Sequence, residues 1–180
     1  MGIRVAGIAQ RPQIPPRLAV GDRVVYASHG IGRIESRTHR GAGGELLILV
    51  FENGLRVTLP LGRAENALRP LSDETELEEV QRMLGSDSPP PSPEHWSRRH
   101  RNAQAKLAAG SVSDLAEIVR DGVHRESARH KGGTAPIRTE VYRTARRLLV
   151  AEVAAARGIE LDEADAWIGL QITGDPLGNR

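Results

Sequence analysis

The chain has no cysteine among its 180 residues, which excludes disulfides, zinc ribbons and thiol nucleophiles together. A small chain without disulfide staples fits a reducing interior, so a cytoplasmic protein is expected. Long apolar runs are also missing. No stretch approaches the roughly 18 consecutive apolar residues of a membrane span, and the opening MGIRVAGIAQRPQIPPR has neither a hydrophobic core segment nor a small-residue cleavage site. Residues 1–17 read as a flexible lead-in. Lysine is scarce: only Lys106 and Lys131 stand among 25 basic residues. Arginine pairs in bidentate fashion with phosphate or carboxylate, but a G+C-rich genome produces the same preference, and composition does not choose between the two.

Several catalytic signatures are absent as well. The histidines His29, His39, His95, His100, His124 and His130 never fall at the i, i+4 spacing of helical metal pairs. Gly41 to Gly44 lacks the lysine and following Ser/Thr of a phosphate loop, so a hairpin turn is expected there. No serine occupies a G-x-S-x-G elbow. Asp162, Glu163 and Asp165 read as charges compensating a helix dipole and not as a catalytic pair, and Trp167 beside Ile168 reads as core. No period of 20 to 50 residues recurs. These absences point away from an enzyme, a metal site, a cofactor or a small-molecule substrate.

What is present is an alternation of charge hidden under a formal net charge of +2. Residues 1–71 hold 10 basic and 5 acidic side chains, residues 72–94 hold 1 and 7, residues 95–158 hold 13 and 6, and residues 159–180 hold 1 and 5. The segment SDSPPPSPE (86–94) cannot pack a core and favours extended polyproline conformations, which marks it as a linker. Before it the apolar pattern has period two with turn punctuation; after it the pattern is helical.

In the first part, strands are expected over Val20–Ala27 and Arg33–Thr38, joined by His29-Gly30-Ile31-Gly32. The unbroken apolar run ELLILVF (45–51) suggests a strand buried on both faces. Asn53-Gly54, a strong hairpin signal, leads into LRVTLP (55–60). Four or five strands so close together suggest a small barrel. Asp73 with Glu76 resembles a capping box for a short helix carrying Leu77, Val80 and Leu84 and ended by Gly85. In the second part helices are expected from near Glu94 to Gly110, after a cap at Ser111 or Ser113 with Val112, Leu115, Ile118 and Val119 inward, over Pro136–Arg157, and over Leu161–Ile168. Gly132-Gly133 breaks the chain, and QITGDPLGNR reads as a disordered tail.

The most informative stretch is HWSRRHRNAQAKL, in which Trp96 is followed at once by Arg98, Arg99 and Arg101, with Lys106 further along. At about 100° per residue, Arg98 and Arg101 share a helix face with Arg99 beside them, so a phosphate backbone could meet several guanidinium groups. A core tryptophan with a solvated arginine face accounts for the same letters.

HGIGRIESRT, NGLRVTLP, ALRPL, WSRRHRNAQAKLAAGSVSDLAEIVRD and YRTARRLLVAEVA, in that order, resemble the CarD/CdnL family of polymerase-binding regulators over roughly residues 18–168. The resemblance implies an α+β protein: a Tudor-like β-barrel with its terminal helix over 18–85 that grips the RNA polymerase β subunit, the linker at 86–94, an all-α DNA-binding domain over 95–169, and a tail over 170–180. It implies that Trp96 wedges into the minor groove at the upstream fork of the promoter bubble near the −10 element, with Arg98, Arg99, Arg101 and Lys106 on phosphates. Arg37 and the strand Leu55, Arg56, Val57, Thr58 and Leu59 match the surface that meets polymerase. The implied function is stabilisation of the open promoter complex, with localisation at the nucleoid through polymerase; the alternative is a polymerase-docking or peptide-binding adaptor without productive DNA contact. The sequence departs from the family at Thr58, where many members are basic, with Arg56 two residues earlier on the same strand face. Gly122 and Gly132-Gly133 fall where many members have longer apolar side chains, which implies a looser helical domain.

Overall fold

A computed structural model describes residues 18–27, 29–39, 41, 44–86, 96–130 and 140–174. Residues 1–17, most of the Pro/Ser segment 86–94, Ala42-Gly43, Gly132-Gly133 and the last six residues lie outside this set, so the readings placed on them are not addressed. Five strands form one antiparallel sheet: β1 (Arg23–Tyr26), β2 (Gly30–His39), β3 (Glu45–Phe51), β4 (Arg56–Pro60) and β5 (Leu68–Pro70), in the spatial order β4-β3-β2-β1-β5. The turn at Asn53 forms because its side-chain oxygen accepts the Leu55 N–H at 3.0 Å, a local bond that reverses the chain.

Helix α1 (Leu61–Ala67), unanticipated in the sequence, connects β4 to β5 and contacts β3 as well as both of them. Among the described residues no ladder joins β4 to β5, so the expected barrel is an open sheet with α1 placed between its ends. Ala64 of α1 is fully buried, which brings the helix down onto the apolar face. The run 45–51 is also corrected. Leu47, Leu49 and Phe51 are buried with Ile34, Leu59 and Leu68, whereas Leu46, Ile48 and Val50 are half-exposed. Helix α1 packs on the face that carries Leu47, Leu49 and Phe51, and the unbroken hydrophobicity of β3 reflects a second face that is only partly shielded along this strand.

Five further helices follow: α2 (Glu74–Leu84), α3 (Trp96–Ala109), α4 (Val112–His130), α5 (Glu140–Arg157) and α6 (Leu161–Thr173). Helix α6 continues through Gln171–Thr173, three residues into the expected tail, and ends at Gly174 in the left-handed region. Ser111 caps α4, its hydroxyl accepting the Asp114 N–H at 3.1 Å. The capping box of Asp73 and Glu76 is present in both directions. Helix α2 itself, expected to close the N-terminal domain, belongs to the helical core. Leu77, Val80 and Leu84 are 1%, 0% and 0% exposed and cluster with Leu115, Val119, Leu149, Val153 and Ile168. An amphipathic helix needs an apolar partner, and α4 and α6 supply it. Arg157 completes the join, lying 4.2 Å from the centre of the half-buried Trp167 ring and 3.5 Å from Glu74.

Gly122 does not loosen this core. A β-carbon there would stand 2.2 Å from Cδ2 of Tyr142, so the tyrosine ring occupies the space that a longer side chain would fill. Gly122→Ala is expected to lower stability by about 1–2 kcal/mol, overpacking of about 1–3 kcal/mol being partly offset by about 1 kcal/mol of better helix propensity. Thermal unfolding should show a fall of several degrees, reversed by adding Tyr142→Leu; an unchanged midpoint would show that the ring moves aside freely.

Candidate polymerase and nucleic-acid interfaces

Apart from Arg37 on β2, the expected polymerase-facing residues lie on and beside β4, which is an edge of the sheet. Phe51 donates its N–H to the Leu55 carbonyl at 2.9 Å, and the pairs Leu49↔Val57 and Leu47↔Leu59 continue that parity. Leu55, Val57 and Leu59 therefore direct their backbone groups toward β3, while Arg56 and Thr58 direct theirs outward. Side chains divide differently. Leu59 is 5% exposed and Val57 packs against the sheet core, so neither offers its side chain to a partner, whereas Leu55, Arg56 and Thr58 are exposed.

Arg37 and Arg56 do not form one patch. The β2–β3 register shifts between Ile34 and Ser36, and such a bulge exchanges the faces of the residues beyond it. Arg37 consequently pairs with Leu47, and through it lines up with Leu59, on the core face; Arg56 lines up with Val50 and Arg33 on the other. Each arginine also has a carboxylate partner: Arg37 pairs with Glu45 and Arg56 with Glu35. The hydrogen bond with Glu45 raises the pKa of the Arg37 guanidinium above its ordinary value, against an opposing effect of desolvation, and the same bond holds the Glu45 carboxyl below its own. With these charges balanced in place, the most available feature of β4 is its outward backbone.

The expected DNA-facing residues lie on α3. Trp96 opens the helix. Arg98 and Arg101 are exposed and Arg99 is half-buried, which places the first two at i, i+3 on one solvent face and turns Arg99 toward the domain. Lys106 is paired with Glu117 of α4, so its charge is already met within the fold. No acidic residue stands in the first turn of α3, so no side chain of that turn offsets the positive end of the helix dipole.

The sequence reading missed the residues that join these two surfaces. Arg69 of β5 and Glu152 of α5, 83 positions apart, form a bidentate ion pair, with Nη2 at 2.7 Å from Oε2. Ser72 donates its hydroxyl to Oε1 of Glu152 at 2.6 Å. Arg69 also donates from Nε and Nη2 to the Gly110 carbonyl at 3.0 and 2.8 Å, just past the end of α3. Glu152 is 1% exposed. One signal was legible: in LLVAEVAA this glutamate sits four and three residues after Leu148 and Leu149, a charge at a core position.

Among the described residues no group of three or more His, Asp or Glu side chains is placed to hold a metal, and no helix is long and apolar enough to cross a membrane. Two family descriptions match the chain in sequence. "CarD-like/TRCF RID domain" matches residues 18–72 and "CarD, C-terminal domain" matches residues 79–169. The first covers the whole sheet; the second begins within α2, in agreement with its place in the helical core.

Proposed function

From the premise that the chain belongs to the CarD family of RNA polymerase-interacting transcription regulators, we propose that it bridges the polymerase β subunit and promoter DNA and stabilises the melted state. In this reading a strand of the β subunit adds to the outer edge of β4, as extended partners do at exposed sheet edges. The start of α3 meets DNA at the upstream fork of the bubble near the −10 element. Arg98 and Arg101 hold phosphates and the Trp96 indole enters the distorted minor groove. Binding the open form in preference to the duplex shifts the opening equilibrium without covalent chemistry. Association with the nucleoid follows from association with polymerase. The observation that carries the reading is an edge strand with outward backbone groups, fixed in one fold to a helix whose first two turns display arginines.

The two contacts can be tested apart. Thr58→Pro removes one outward N–H from β4 and leaves the β3 ladder intact, a change that edge strands tolerate. Loss of one hydrogen bond of about 1 kcal/mol is expected to weaken retention by the β subunit about fivefold. Unchanged retention would remove strand addition from the proposal. Trp96→Ala is expected to shorten the open-complex lifetime by about one order of magnitude, from base–aromatic stacking of about 1–3 kcal/mol, while retention by β persists. If the folded variant matches wild type, the wedge is wrong and the chain acts as a docking adaptor.

A further inference from the structure

Among the described residues, the sheet and the helical domain meet around Gly110 and again at Gly30. Arg69 of β5 grips Glu152 of α5 and the Gly110 carbonyl. Gly110, with φ +68°, presses so closely on the end of β1 that a β-carbon would stand 2.3 Å from Cβ of Ala27 and 2.9 Å from its Cα. Gly30 of β2 faces Leu148 of α5, where a β-carbon would come within 3.1 Å of Cδ2. Contacts at two sites, one on the end of α3 and one on α5, restrain the helical domain against the sheet, and the first reaches the end of the arginine-bearing helix directly.

A buried ion pair adds little net stability over apolar side chains of similar volume, because desolvating both charges offsets their attraction. What the pair adds is direction. The guanidinium is a rigid planar fork, and here its Nε, Nη1 and Nη2 all have acceptors: the Gly110 carbonyl, the Pro70 carbonyl and both oxygens of Glu152. The second carboxylate contact, from Ser72, comes from the segment between β5 and α2, so sheet, connecting segment, α3 end and α5 converge on one buried site.

We propose that Arg69 and Glu152 are positioning residues: they lock the helical domain against the sheet, so that a partner held at the β4 edge and one held at the start of α3 are presented at a fixed separation and direction. The inference rests on the bridging function above. Two ligands held by one rigid body bind with an avidity that depends on matched geometry and is lost when the geometry is not kept. The pair acts on the bridge and touches neither partner.

The test is the double variant Arg69→Met/Glu152→Leu, which replaces the fork by apolar side chains. It should fold cooperatively, be retained by isolated β subunit as well as wild type is, and bind short promoter DNA as wild type does. Its open-complex lifetime with polymerase should fall about tenfold, well within the 10²–10⁴ range that linked binding can supply. The absence of cysteine allows a direct geometric readout: spin labels at Glu52→Cys and Glu163→Cys, both exposed, should give a narrow distance distribution in the parent and a broad one in the double variant. A folded double variant with a narrow distribution or an undiminished lifetime overturns the inference. Failure of the parent chain to bind β subunit or DNA instead overturns the bridging function. Should the double variant not fold, Ser72→Ala with Arg69→Lys, which keeps the charge but loses the fork, is held to the same two readouts.

Discussion

Glu152→Ala is expected to lower the free energy of unfolding by about 3–5 kcal/mol, the range for breaking a buried ion pair by removing one partner. The side chain is 1% exposed and accepts from Arg69 and Ser72. Its removal leaves the guanidinium facing a cavity and the Ser72 hydroxyl without that acceptor. A typical small domain has about 5–15 kcal/mol in total, so the variant should unfold at markedly lower urea, with the midpoint shifted by about 2 M for a slope of about 2 kcal/mol/M. The apolar double replacement should recover most of that loss, because no charge is then stranded. An Ala variant within about 0.5 kcal/mol of wild type would mean that solvent reaches the site.

Arg98→Gln with Arg101→Gln is expected to weaken association with promoter DNA about 10²- to 10⁴-fold at low salt, each charge-assisted contact being worth about 1.5–3 kcal/mol. It should also flatten the dependence of log K on log salt by about two, one unit for each lost phosphate contact. The weakening should be uniform across sequences, since phosphates carry no base information. Lys106→Gln should change the slope little, because Glu117 already holds that charge. Equal slopes for the wild type and the arginine double variant, measured over a salt series with circular dichroism confirming the helices, would place DNA elsewhere on the molecule.

The capping box at Asp73, the Asn53 turn, the inward face of α4 and the core positions of α5 were legible because each rests on local rules: a side chain bonding a backbone group a few residues away, or an apolar spacing of a helix. The arginine cluster at the start of α3 was legible for the same reason. The exposure of its members was not, since whether Arg99 turns inward depends on what lies beneath it. The unbroken run of β3 misled because hydrophobicity records neither which face is covered nor how fully.

The sequence by itself determined the class of the protein: an absence of cysteine and of catalytic signatures, a β-rich first part, a helical second part, and ordered motifs of one family. Periodicity and turn chemistry are properties of neighbours along the chain, so they survive without a fold. Only the tertiary structure decided that α2 joins the helical core, that the bulge in β2 sends Arg37 and Arg56 to opposite faces, and that Glu152 meets Arg69 across 83 positions. Those outcomes depend on which surfaces meet, and a buried charge, a shifted register or a glycine pressed against a tyrosine ring becomes readable only when the partner from elsewhere in the chain is in place.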